Sequence, residues 1–153
     1  MPSYGECQSA EVDASPEDCF AALTDFEALP SWQGAVREVR VLERDAAGRG
    51  SLVEYAVDAK VRTLRYRLRQ DYAGAPERLG CTYAGGDFRD FAGEWRFAAL
   101  DGGGRCRVEL DLSIDPGRFV PGPVRGLIAD AVMKRALGDL QARFARSAAG
   151  APR

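Results

Sequence analysis

The order of patterns along the chain predicts an α+β fold, a curved antiparallel sheet closed by one long C-terminal helix. Three observations carry this. A short strand and a capped helix come first. A long series of segments with a two-residue apolar period follows. One long amphipathic helical segment ends the pattern. A bent sheet closed by a single helix is hard to fill completely, so the order of elements favours a pocket for a small molecule.

Residues 4–13 have modest strand character and lead into Ala14-Ser15-Pro16-Glu17-Asp18. Ser15 suits an N-cap, Pro16 the first helical position, and Glu17 and Asp18 the positive end of the helix dipole. Asp18, three residues after Ser15, is a variant of the capping box. Cys19, Phe20 and Leu23 supply the apolar face. A second short helical piece is expected over 25–29, stopping before Pro30.

The period then becomes two. Strands are expected over 35–44, 51–59 and 63–72, with a turn at Asp45-Ala46-Ala47-Gly48. Val53, Tyr55 and Val57 share a face. Leu64, Tyr66, Leu68, Gln70 and Tyr72 stand opposite Arg65, Arg67, Arg69 and Asp71. After Ala75-Pro76, Leu79, Cys81 and Tyr83 share a face, and Gly85-Gly86-Asp87 is expected to turn. Phe91, Gly93, Trp95 and Phe97 alternate with Glu94 and Arg96. Asp101-Gly102-Gly103-Gly104 reads as a hairpin loop. Cys106, Val108, Leu110, Leu112 and Ile114 alternate with Arg107, Glu109 and Asp111, a half-buried antiparallel strand.

Charge sets the register of the last hairpin. With Leu100 facing Arg105, Arg96 faces Glu109 and Trp95 faces Leu110. A one-residue slip would oppose Arg96 to Arg107 and Glu94 to Glu109. Cross-strand pairs contribute roughly 0.2–1 kcal/mol each, so the slip is rejected. Glu54 lies within reach of Arg67 or Arg69 in the same way.

Asp115-Pro116-Gly117 ends the sheet, and a connector over 118–123 leads to a helix expected over 124–146. Val124, Leu127, Ile128 and Ala131 cluster on one side of it. Met133, Ala136, Leu137, Leu140 and Phe144 cluster on nearly the other. Either the segment breaks near 129–132, or its first part is apolar on two sides, gripped by the sheet and covered by the N-terminal helices or bordering a cavity mouth. A short lid-like first turn followed by a main helix is the favoured reading. One domain over 1–146 is expected, with a disordered tail over 147–153.

The bulk composition excludes several classes. The chain has 153 residues, a net charge of −2 and 46% hydrophobic residues, so a general nucleic-acid binder is not expected. No apolar run approaches the roughly 18 residues of a membrane span. Residues 1–13 carry acids where a signal peptide needs a basic stretch and an apolar core, so a cytoplasmic protein is expected. The four cysteines, Cys7, Cys19, Cys81 and Cys106, form no C-x-x-C pair and read as free thiols. Histidine is absent, which removes the commonest general base and most metal sites; no metal and no cofactor are expected.

Three segments carry a resemblance. Residues 12–20, Val-Asp-Ala-Ser-Pro-Glu-Asp-Cys-Phe, resemble an "apolar-x-A-x-P-E-x-[VC]-[FW]" opening. Asp25-Phe26 through Leu29-Pro30-Ser31-Trp32 resembles "D-x-x-x-[YL]-P-x-W". Gly93-Glu94-Trp95-Arg96-Phe97 precedes the last strand. In this order they resemble the START-related helix-grip (SRPBCC) superfamily, in the branch called polyketide cyclase/dehydrase or coenzyme Q-binding proteins. The resemblance spans about residues 5–146. It implies seven antiparallel strands around the C-terminal helix, with an apolar cavity between them. It does not fix function, because one fold hosts unrelated activities.

The candidate ligand-binding residues are Trp32, Tyr55, Tyr66, Gln70, Tyr83 and Trp95. Trp32 either lines the cavity rim, as the resemblance implies, or packs against the short helices. Tyr55, Tyr66, Tyr72 and Tyr83 fall on inward faces, where each hydroxyl needs a ligand, backbone or water partner. Gln70 is the uncharged polar side chain in an apolar row, bonding either a ligand or Tyr55 or Tyr83. Trp95 is an aromatic wall or plain core, and Gly93 beside it leaves space on that face. The stripe Arg65, Arg67 and Arg69 reads as a solvated face paired with acids, or as a surface for an anionic partner.

Three functions are weighed. A binder or carrier of a hydrophobic small molecule (lipid-like, quinone-like or aromatic) needs an apolar pocket with a few polar groups, and the favoured reading is this one. A polyketide aromatase/cyclase would need a proton donor facing a carbonyl. The resemblance implies an inward arginine and nearby hydroxyls there, but the aligned positions carry Gln70 and Leu68. Tyr55, Tyr66 or Tyr83 would have to donate instead. A protein-interaction role on a ribosome or respiratory assembly has only the arginine stripe to use. The oligomeric state is not legible.

Overall fold

The computed structural model describes residues 4–58, 63–115, 117 and 132–145. The two-residue period becomes seven strands: β1 (Tyr4–Val12), β2 (Val36–Arg44), β3 (Gly50–Asp58), β4 (Thr63–Asp71), β5 (Arg78–Gly86), β6 (Asp90–Leu100) and β7 (Arg105–Asp115). They pair antiparallel in one curved open sheet, ordered β1-β7-β6-β5-β4-β3-β2. Helix α1 (Pro16–Thr24) follows β1, and helix α2 occupies 132–145. The expected helical residues before 132 and the tail over 147–153 lie outside the described residues.

The helix signals act as expected. The Ser15 side chain accepts the Asp18 N–H at 3.1 Å, and Pro16 begins the first turn. The piece that follows is a 3₁₀ helix, Phe26–Ser31, and it runs through Pro30 where a stop was expected. Its turns are closed by other donors: the Ala28 N–H bonds the Asp25 carbonyl, and the Trp32 and Gln33 N–H groups bond the Leu29 carbonyl. The N–H that Pro30 lacks is therefore not among those that close these turns.

The last hairpin pairs Leu100 with Arg105, Arg96 with Glu109 and Trp95 with Leu110, the register that charge selected. Strand β5 differs from expectation, continuing through Gly86 where a turn was read. Both Gly85 (φ +116°) and Gly86 (φ +135°) take backbone angles that side chains resist. Gly86 pairs with Tyr66 after a register shift between Tyr66 and Leu68. Two bonds hold this bulge: Asp87 N–H to the Arg65 carbonyl, and Arg65 N–H to Asp87 Oδ2, each 2.8 Å.

The inner face of the sheet packs against both helices. Val12, Cys19, Leu23, Val108, Leu110, Leu112, Met133, Leu137 and Leu140 form one buried cluster. Full burial of such a side chain stabilises by roughly 1.5–3 kcal/mol. A smaller cluster, Phe26, Leu29, Val39 and Val53, lies under the 3₁₀ segment; Trp32 and Tyr55 touch both. Helix α2 is tied down by Gln33 Nε2, which donates to the Ala136 carbonyl at 3.2 Å, and by the Gly34 N–H, which donates to Asp139 Oδ2 at 2.8 Å.

The outer face carries a chain of ion pairs. Arg65 meets Glu38, Arg67 meets Glu54, and Arg69 meets Glu43. Arg78 bridges Asp71 and Glu94, and Arg96 bridges Glu94 and Glu109. Among the described residues no helix is long and apolar enough to cross a membrane.

Candidate functional site

The inner face of β3 and β4 brings three of the candidate residues together. The register of β3 and β4 sets Tyr55 directly opposite Tyr66, and directly opposite residues of an antiparallel pair share a face. Their rings stack with centroids 5.4 Å apart and planes 18° apart. On its other side Tyr66 stacks on Phe91 at 5.3 Å and meets Phe88 at 5.1 Å. Gln70 Nε2 donates to Tyr55 Oη at 3.2 Å. Gln70 is paired with Cys81, and Cys81 with Gly93.

Gly93 does not leave open space beside Trp95. A Cβ there would lie 3.1 Å from Cys81 Sγ and 3.2 Å from Leu112 Cδ1. The missing side chain lets the thiol lie against the strand. Trp95 stacks on Phe97, planes 1° apart at 6.4 Å, and pairs with Leu79 and Leu110. Its surroundings are those of a wall next to the main cluster, apart from the Tyr55–Tyr66 pair.

The hydroxyls divide into committed and uncommitted. The Tyr83 hydroxyl donates to the Phe88 carbonyl at 2.6 Å and accepts the Phe88 N–H at 3.0 Å. The Tyr72 hydroxyl donates to the Gly50 carbonyl at 2.6 Å, with the Arg49 guanidinium 4.3 Å above its ring. Tyr66 is 8% exposed as a residue, and its hydroxyl bonds no other residue among those described but is not sealed from solvent. Trp32 sits between the two clusters under Arg143, whose guanidinium lies 5.0 Å from its ring centroid. Trp32 Nε1 is sealed from solvent with no hydrogen-bond partner among the described residues.

The electrostatics of the inner patch are uniform. Burial pushes the Tyr55 and Tyr66 hydroxyls well above the usual phenol range, with Cys81 adding to both. Burial also pushes the Cys81 thiol up to about 12. All three stay protonated and neutral at physiological pH. The four cysteines are free; Cys19 and Cys106 are buried and Cys7 is exposed. Among the described residues no three His, Cys, Asp or Glu side chains gather as a metal-binding group. A surface of this kind can hold apolar or aromatic matter and exchange neutral hydrogen bonds with it.

Sequence reasoning did not single out Phe88, Phe91 or Cys81 as neighbours of the tyrosines. Phe91 and Cys81 carried a signal, since both were placed on inward faces. Phe88 follows the glycine bulge, where no period operates.

A family model described as polyketide cyclase / dehydrase and lipid transport matches residues 12–141. No curated protein sequence matches. Several solved structures share the fold. A START superfamily protein from Mycobacterium smegmatis is 22% identical with a TM-score of 0.86, covering 94% of this chain and 98% of that one. A protein from Thermus thermophilus is 21% identical with a TM-score of 0.78, covering 94% of this chain and 98% of that one. The Zhui aromatase/cyclase from Streptomyces sp. R1128 is 16% identical with a TM-score of 0.79, covering 99% of each chain.

Proposed function

Because the chain belongs to the polyketide cyclase/dehydrase and lipid transport family, we propose that it binds and carries a hydrophobic small molecule, lipid-like, quinone-like or aromatic, against the inner face of its sheet. The observation that supports this most is the row Tyr55–Tyr66–Phe91, three stacked rings whose hydrogen-bonding neighbours among the described residues are neutral. Such a surface gives apolar area together with a few orienting hydrogen bonds. Tyr55, Tyr66 and Gln70 are the residues placed to meet the guest, and Trp95 with Phe97 is a wall. Native mass spectrometry of protein purified from its own host is expected to show a co-purifying apolar mass. Protein that is isolated empty and takes up no apolar dye would defeat the reading.

The aromatase/cyclase reading draws on the family description and on the likeness to the Zhui enzyme. It would need an acid facing a ketone. Tyr66 has the free hydroxyl, but burial raises its pKa and weakens it as a proton donor at neutral pH. Carriage is therefore preferred. A surface role through Arg65, Arg67 and Arg69 gains little support, since each arginine already has an acid beside it.

A further inference from the structure

We infer that Tyr66, Tyr55 and Gln70 form a seat for one neutral oxygen of an aromatic guest, a ketone or a phenol, and that the seat rejects carboxylates. This deepens, and rests on, the proposal that the inner face holds a hydrophobic molecule.

Tyr66 is fixed on both ring faces, by Tyr55 and by Phe91. Its hydroxyl is thus held at one place without help from a hydrogen bond. Among the described residues the sealed side-chain polar atom without a partner is Trp32 Nε1, so the Tyr66 hydroxyl keeps access to solvent, and a guest oxygen can take the place of water there. The neighbouring groups are arranged to share that guest. Tyr55 Oη already accepts from Gln70 Nε2, so its proton is the part left to offer. Neither the Tyr55 proton nor Gln70 Oε1 has a partner among the described residues. Two O–H donors and one amide acceptor therefore flank the same stacked pair. A ketone oxygen can accept from the tyrosines. A phenol can accept from a tyrosine and donate to Gln70 Oε1.

The charge pattern sets the selectivity. The arginines of the same strand, Arg65, Arg67 and Arg69, stand on the opposite face and bond Glu38, Glu54 and Glu43. A carboxylate in the seat would lose its water and meet no countercharge from this strand, which strongly disfavours it. A ketone or phenol loses far less on entry.

Calorimetric titration of the full chain with naphthalene, 2-naphthol and 2-naphthoate tests this. 2-Naphthol is expected to bind about tenfold more tightly than naphthalene, the worth of one good hydrogen bond. 2-Naphthoate is expected to bind more weakly than naphthalene. In Tyr66→Phe the advantage of 2-naphthol over naphthalene should shrink to about threefold or less, and a cooperative urea unfolding transition shows that the variant folds. Equal binding of naphthalene and 2-naphthol by the unaltered protein overturns the seat alone, with no variant needed. So does tight binding of 2-naphthoate. Failure of all three probes to bind overturns the hydrophobic-guest reading, and the seat with it.

Discussion

Tyr83 and Phe88 exchange two hydrogen bonds: the tyrosine hydroxyl donates to the Phe88 carbonyl and accepts the Phe88 N–H. The side chain thereby closes the β5–β6 turn and carries Phe88 toward Tyr66. Tyr83→Phe strands both backbone groups and should cost about 1–3 kcal/mol. Urea unfolding measures this. A variant with unchanged stability and lost ligand binding would instead make Tyr83 a contact of the guest.

Trp32 holds a buried N–H with no partner among the described residues. Such a group costs about 1–3 kcal/mol. Trp32→Phe removes it, offsetting much of the packing lost with the larger ring. The net change in unfolding free energy should stay within about 1 kcal/mol, well below the 3–5 kcal/mol typical of Trp→Ala in a core. A loss above about 3 kcal/mol would mean that the indole nitrogen is hydrogen-bonded.

Gly86 sits at φ +135°, and a Cβ there would lie 2.5 Å from the Arg65 carbonyl oxygen. Gly86→Ala should destabilise by at least about 1–3 kcal/mol through backbone strain, with the clash added. Gly102, at φ +76° with nothing within 4 Å, should lose less on the same change. Thermal unfolding of the two variants separates clash from strain. Equal losses would count against the bulge.

Alkaline stability follows from the raised pKa values. Cys81 titrates at 9.0 ordinarily and at about 12 in the fold, because burial disfavours the thiolate. Only the unfolded chain gives up this proton between those values. The contribution is therefore fully present below pH 9 and is lost as pH rises toward 12. Tyr55 and Tyr66 act in the same sense above the ordinary phenol value of 10.0. Urea midpoints should fall as pH rises past 9, and less steeply in Cys81→Ala. An identical slope in that variant would place the thiol in solvent.

Much of this was legible because charge and period act locally. The Arg96–Glu109 pairing could be chosen over its slip by sign alone, and the Ser15 cap needs only its own turn. The inward row of Tyr55, Tyr66 and Gln70 followed from alternation. What escaped depends on partners far along the chain. The Gly85-Gly86 bulge is held by Arg65 across the sheet, and it decides where Phe88 goes. Which hydroxyls are spent therefore follows from backbone positions that no pattern in the residues reports. The space expected at Gly93 is shared by a sulfur from the adjacent strand and a leucine.

The arginine–carboxylate chain on the outer face has a consequence at long range. Its partners lie 2.9–3.8 Å apart, well inside the screening length of about 8 Å in physiological salt. From farther off, opposite signs cancel and that side projects almost no field. A molecule approaching from that side is not steered, so its encounter rate should barely change with ionic strength.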